Sequence, residues 1–214
     1  MRKIKVLNLY AGIGGNRKLW TDCEVTAVEL DPELARMYQE RFPNDTVIVA
    51  DAHQYLLDHY KEFDFIWSSP PCPSHSRARF WNASNYDTTT DAIYPDMKLY
   101  EEIIFLKHYF KGKYVVENVI PYYDPMLNPT KIGRHMFWSN FRITQVDCSH
   151  EFKKDDTEWL QYFHCIDISS YKGEQRKIKI LRNMVHYDIG LHIFELAQGI
   201  VNQKDVSTDD LFST

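Results

Sequence analysis

An α/β fold, with a mostly parallel, doubly wound sheet of Rossmann-like type, is predicted by three observations. Short apolar runs alternate with segments of helical period. Several runs stop at a glycine turn, an acid or a proline pair. At 214 residues the chain has room for one full core and not for two ordinary ones. Lys3 to Tyr10 reads as the first strand and feeds the turn Ala11-Gly12-Ile13-Gly14-Gly15. Glu24 to Leu30 is a second strand ending beside an acid. Asp31 then caps a helix with Pro32 at its first position and Leu34, Met37 and Tyr38 on its apolar side. The alternation continues with a strand at Thr46 to Ala50, a helix at His53 to Tyr60, a strand at Phe63 to Ser68, a helix at Tyr94 to Phe110 and a strand at Tyr114 to Val119. Further on, Phe141 to Val146 reads as a strand and Tyr187 to Val201 as a helix, while 147–181 shows no clear period and the last dozen residues read as a loose tail. In sheets of this kind ligands lie beyond the carboxyl ends of the strands.

Composition narrows the class. Apolar residues make up 44% of the chain and charged ones 26%, with no repeat and no apolar run near eighteen residues, so disorder and membrane spanning are both disfavoured. The basic, then briefly apolar N-terminus reads as a strand, not a signal. Cys23, Cys72, Cys148 and Cys165 form no CxxC pair, which points to reduced thiols in a cytoplasm; Cys148 with His150, and His164 with Cys165, make a poor zinc site, and no metal is expected. The net charge is −5, but it is segregated. Residues 22–64 are acidic, whereas Lys172, Arg176, Lys177, Lys179 and Arg182 crowd a segment offset only by Glu174, and Arg77, Arg79, Lys131, Arg134 and Arg142 flank the motifs below. Either a basic face for nucleic acid or an ordinary solvated charge run would account for them.

Two motifs carry chemistry. Pro70-Pro71-Cys72-Pro73 follows the run Phe63 to Trp67, so rigid prolines fix a cysteine at a strand mouth, and Glu117 closes the next strand, Val115 to Val119. A thiol nucleophile beside a carboxyl group is what addition to a pyrimidine ring requires. At the other end, the glycine turn lets a ligand approach the backbone but has neither the GxGxxG nor the Walker spacing. Glu29 at the end of strand two could accept both hydroxyls of a ribose, and Asp51 after strand three could accept from an adenine amino group.

In this order the motifs resemble the cytosine-C5 DNA methyltransferase family: the Phe-Ala-Gly-Ile-Gly-Gly type motif as Tyr10 to Gly15, the ribose acid Glu29, the adenine aspartate Asp51, Pro71-Cys72, Glu117-Asn118-Val119 and, late in the chain, Asn183-Met184-Val185. The resemblance covers about residues 3–142. It departs at Pro73, where the family has Gln, at Ser68-Ser69, which replace glycines, and at Arg134, the one arginine kept from a two-arginine motif. It implies a Rossmann-like S-adenosylmethionine-dependent methyltransferase fold. It also implies a methyl group passed from S-adenosylmethionine, leaving S-adenosylhomocysteine, to C5 of a cytosine flipped out of DNA.

By the same resemblance Cys72 adds to C6, Glu117 serves N3, Asn118 shapes its strand end and Arg134 holds the O2 edge. Tyr10, Ala11, Gly12, Gly14, Gly15, Glu29, Leu30, Asp51, Ala52, Pro70, Asn183 and Val185 would contact the cofactor. Ser76, Arg77, Arg79, Arg176, Lys177 and Lys179 would contact nucleic acid, with the loop from Ser74 to Asp91 as a lid. The implied division is a catalytic core at 1–142, a reduced target-recognition region at 143–181, a closing helix at 182–203 and a tail at 204–214. So short a recognition region suggests a degenerate target or a second subunit. A restriction-modification setting in the cytoplasm of a bacterial or phage-infected cell fits, with no membrane partner. An RNA cytosine-C5 methyltransferase, an enzyme on free nucleotides and a catalytically inert binding relative are the alternatives.

Overall fold

A computed structural model describes residues 2–72, 74–76, 94–146 and 156–200. Pro73, Arg77, Arg79, Cys148, most of the Ser74 to Asp91 loop and the tail therefore lie outside the described residues.

Five strands run parallel: β1 (Ile4–Leu9), β2 (Cys23–Glu29), β3 (Thr46–Val49), β4 (Phe65–Ser68) and β5 (Lys113–Val119). Two more complete the sheet, β6 (Thr130–Ile132) and β7 (His135–Ser139), with β7 antiparallel to β5 and to β6. The order is β3-β2-β1-β4-β5-β7-β6. The chain thus builds outward from β1 to β3, returns to β1's other side as β4, and builds outward again. That reversal opens a crevice at the carboxyl ends of β1 and β4, where two successive connections leave in opposite directions.

Side chains alternate between two cores, as strands buried on both faces require. Val6, Phe65, Trp67 and Val115 face one cluster, Leu7, Ile66, Tyr114 and Val116 the other. The second cluster is covered by α2 (Ala52–His59) and α3 (Lys98–Tyr109), the first by α6 (Tyr187–Ala197). Asp31 caps α1 (Pro32–Arg41) by accepting from the N–H groups of Glu33 and Leu34, at 2.9 and 3.3 Å. A cap of this kind contributes about 1 kcal/mol.

Two regions differ from the sequence reading. Phe141 to Val146 is not a strand; the strand is His135–Ser139 instead. The Asn140 side chain ends it, accepting the Tyr114 N–H at 3.1 Å and donating to the Gly112 carbonyl at 2.8 Å, so it takes the place of further strand pairing. Phe141 and Val146 keep their apolar role by packing against the first cluster. The stretch without period contains α4 (Thr157–His164) and α5 (Lys177–Arg182). Leu160, Ile168 and Leu181 from this stretch pack with Ile13, Leu34 and Met37, while the Tyr171 hydroxyl donates to Asp31 at 3.2 Å. The segment is a layer laid over the glycine turn and α1. Among the described residues no helix is long and apolar enough to cross a membrane.

Candidate active site

At the crevice lies a cavity of about 600 Å³. Its walls are the turn after β1, the ends of β2 and β3, the Pro70–Cys72 connection after β4, the end of β5 and the segment around α5. Of the residues singled out above, Tyr10, Ala11, Gly12, Gly15, Glu29, Leu30, Asp51, Ala52, Pro70, Asn183 and Val185 all line it, as do Cys72, Glu117 and Asn118.

The glycines of the turn have distinct tasks. Gly12 has φ +52°, and a Cβ there would meet nothing within 4 Å, so its open side faces the cavity. Gly14 and Gly15 are different: a Cβ on Gly14 would strike the rings of Phe42 and Tyr38, and one on Gly15 would come within 2.8 Å of the Val185 carbonyl. Their missing side chains admit protein, not ligand. Gly15 in particular lets the Asn183–Val185 segment close onto the turn, an approach braced by the Trp20 indole N–H donating to the Gly190 carbonyl at 3.0 Å.

Both oxygens of Glu29 are held by backbone: Gly12 N–H at 2.8 Å and Asp31 N–H at 2.9 Å. Burial pushes its carboxyl pKa above the usual range even though those two donors pull it down. Asp51 caps α2, accepting the Gln54 N–H at 2.9 Å, so the acid expected to meet adenine starts a helix. Leu30 is 67% exposed and presents an apolar surface at the rim.

Cys72 is placed by two clamps. The Asn118 amide donates to the Pro70 carbonyl at 3.0 Å, tying the proline pair to the end of β5, and its oxygen accepts the Val119 N–H at 2.9 Å. Beyond the cysteine, the N–H groups of His75 and Ser76 both donate to the Cys72 carbonyl, at 3.0 and 3.1 Å. The Cys72 sulfur then stands 4.0 Å from the Asn183 side-chain oxygen. Burial pushes its thiol pKa up, the Glu117 charge adds to the rise and the Lys179 charge opposes it. Cys23, Cys72 and Cys165 are free thiols.

Two features were not found from sequence, and one expected residue has a different place. The buried Glu117 carboxylate meets His135 Nδ1 at 2.6 Å, a diagonal contact across the β5–β7 pair that the misplaced strand concealed. Glu102, fully buried, accepts from the Tyr10 hydroxyl and the Ser68 hydroxyl, each at 2.5 Å, and faces His53 Nδ1 at 3.0 Å. Its signal was present: Leu99, Glu102, Ile103 and Leu106 follow helical spacing, which places the acid on the buried face of α3. Ser68, a departure from the family pattern, is explained by this bond. Lys179, expected as a nucleic-acid contact, lines the cavity.

Other expected residues are not brought in. Arg134 is exposed in the β6–β7 turn and Ser76 bridges to Pro121; neither lines the cavity. The Lys177 ammonium donates to the Ser169 carbonyl at 2.7 Å, and Arg176 is exposed outside the cavity.

Over residues 4–119, more than half of its length, the chain matches the profile of the C-5 cytosine-specific DNA methylases. It belongs to that family. The sheet with its reversed seventh strand is accordingly a Rossmann-like methyltransferase fold, and methyl transfer is the activity class. Among curated proteins no sequence matches the chain. Solved structures similar to it include a hypothetical protein of Thermus thermophilus, at 19% identity over 64% of this chain and 75% of that one, with TM-score 0.43. A DNMT2 variant from Spodoptera frugiperda is 23% identical over 55% of this chain and 36% of its own, with TM-score 0.38. A SAM-dependent methyltransferase from Agrobacterium tumefaciens is 16% identical over 57% and 40%, with TM-score 0.39.

Proposed function

We propose that the protein methylates C5 of cytosine in DNA, with S-adenosylmethionine as donor and Cys72 as covalent nucleophile. One observation carries the reading: a free thiol, the Glu117 carboxylate and two strand-end acids line a single cavity, with His135 bonded to Glu117 from behind.

The donor fits what lines the β1–β3 end. Gly12 leaves open space, Glu29 and Asp51 offer acceptors for ribose hydroxyls and an adenine amino group, and exposed Leu30 offers a nonpolar face. Tyr10, Ala11, Gly15, Ala52, Pro70, Asn183 and Val185 complete this wall, with Gly14 supporting it from behind. When bound, the sulfonium supplies an electrophilic methyl group, and the acids here suit its positive charge.

At the other end the Cys72 thiolate adds to C6, forming an S–C6 bond and moving an electron pair toward N3. Glu117 donates or shares a proton at N3, held in place by His135, and C5 becomes a nucleophilic enamine carbon. After C5 is methylated, water takes the C5 proton, the C5–C6 double bond re-forms as the S–C6 bond breaks and Cys72 leaves as thiolate, and the proton at N3 returns to Glu117. Asn118 acts by fixing the Pro70–Cys72 connection. Arg134 has no part in this scheme. A flipped cytosine would cost a few kcal/mol of stacking, which phosphate contacts along 143–181 would offset. That region is proposed as a small recognition layer on a 1–142 core closed by 182–203, reading few bases or relying on a second subunit. A bacterial or phage-infected cytoplasm, with a restriction-modification role, is the proposed setting.

Bisulfite sequencing of host DNA after expression tests the substrate. Methylated cytosines dependent on Cys72 support the reading. Unmodified DNA with methylated tRNA would move the activity to RNA, and neither would support an inert relative.

A further inference from the structure

Lys179 sits on the cavity side of the basic segment, apart from Lys177. Lys179 and Asn183 are one helical turn apart, joined by the Asn183 N–H donating to the Lys179 carbonyl at 3.1 Å, so both project from one face of α5. Both line the cavity, and Asn183 is the residue whose side-chain oxygen is 4.0 Å from the Cys72 sulfur. One turn earlier Gln175 also lines the cavity, its amide donating to Asp31 at 3.3 Å. Lys179 is exposed and lines the cavity together with residues of both its ends.

The neighbours of Cys72 explain why a cation there matters. From β5 comes the Glu117 carboxylate, backed by His135 of β7; from the cysteine's own loop comes His75, buried and bonded through Nδ1 to the Tyr123 hydroxyl at 2.6 Å. From α5 comes Lys179. Burial and a carboxylate both oppose the thiolate, yet the thiolate is the species that adds to a ring. Burial keeps His75 uncharged, its pKa lowered. Of the two lysines that line the cavity, Lys98 and Lys179, Lys179 shares the α5 end with Asn183 beside the sulfur, and its charge opposes that of Glu117 there.

We propose that Lys179 is a positioning residue of the catalytic pocket, stabilising the Cys72 thiolate by its charge, and is not simply one of several equivalent phosphate contacts. The inference rests on the assignment of Cys72 as nucleophile, but its test requires neither nucleic acid nor methyl transfer.

The test is the pH profile of Cys72 alkylation by iodoacetamide in the full chain, followed on the Cys72 peptide by mass spectrometry so that other cysteines do not contribute. Lys179→Gln should move the profile to higher pH and slow alkylation near pH 7 by about threefold or more, as loss of one partly screened charge implies, while the alkaline plateau stays the same. Lys179→Arg should restore the parent profile, and Lys177→Gln should leave it unmoved. In the parent, raising the salt should slow alkylation near pH 7, because an exposed ammonium is screened. This last arm needs no variant and holds if Lys179→Gln fails to fold. Superimposed profiles for parent and Lys179→Gln, a Lys179→Arg variant as slow as Lys179→Gln, or a salt-independent parent would each overturn the inference. Trapping on 5-fluorocytosine DNA judges the nucleophile separately, so either idea can fail alone.

Discussion

At the β1–β3 end of the cavity the acids are held by backbone N–H groups: Glu29 by Gly12 and Asp31, Asp51 by Gln54. At the β4–β5 end each group is held by a side chain of another element: Cys72 beside Asn183, Pro70 by Asn118, Glu117 by His135. The first end is tolerant, since a backbone donor survives most substitutions. The second depends on long-range placement, so single changes there should have larger consequences, and on chemistry more than on binding.

The comparison is sharpest at the nucleophile. Cys72→Ala should abolish both turnover and the denaturation-resistant adduct on DNA containing 5-fluorocytosine, where fluorine cannot leave as a proton does. Calorimetry should still show binding of S-adenosylhomocysteine. Methylation near the parent rate would end the covalent scheme.

Next in size is Glu117→Gln. It removes a proton donor while leaving an amide of the same shape beside His135, so methyl transfer should slow by ~10²–10⁴-fold with cofactor affinity retained. A variant that unfolds instead would assign Glu117 to structure. Smaller again is Glu29→Ala at the β1–β3 end, expected to weaken cofactor binding by about 1–3 kcal/mol through a lost charged hydrogen bond. Unchanged affinity would remove its ribose role.

Two neighbouring glycines divide the same contrast. Gly15→Ala places a methyl 2.8 Å from the Val185 carbonyl and against Met184, so the Asn183 segment must retreat, at a cost of about 1–3 kcal/mol of stability and with slower chemistry at Cys72. Gly12→Ala meets only the left-handed backbone penalty, about 1–2 kcal/mol, and should act on cofactor affinity instead. Denaturant melts and calorimetry on the pair separate the two effects; identical profiles would mean that the ends are not built differently.

How much could be read from sequence follows the same division. Strand ends, the Asp31 cap and the acids after β2 and β3 are local signals, set by periodicity and by capping residues beside the groups they serve. His135, and the place of Lys179 in the cavity wall, could not be assigned that way. His135 reaches Glu117 only through antiparallel pairing of β7, and that strand was expected at Phe141, where alternation of apolar residues looks similar but Asn140 has already closed the edge. The α4–α5 layer gave no period because its apolar residues are spread over two short helices and a turn, all meeting α1. Glu102 was legible in the phase of α3, but its partners Tyr10, Ser68 and His53 lie on three other elements.

The smallest effect concerns that network, where the β1–β3 end borrows the side-chain device of the other. His53 has its pKa raised, first by its hydrogen bond to Glu102 and further by the Glu101 charge, with burial and Lys98 opposing. A histidine held above its unfolded value stabilises the fold fully below that value, about pH 6.5, and the contribution is lost as pH rises through the folded one. The Tyr10 and Ser68 hydroxyls keep donating to Glu102 throughout, since burial and the carboxylate push the Tyr10 phenol far above neutrality. The gap in melting temperature between parent and His53→Gln should therefore be widest near pH 6 and narrow toward pH 9. A gap that stays constant across that range would mean that His53 contributes by packing alone and that Glu102 is held by its two hydroxyl donors.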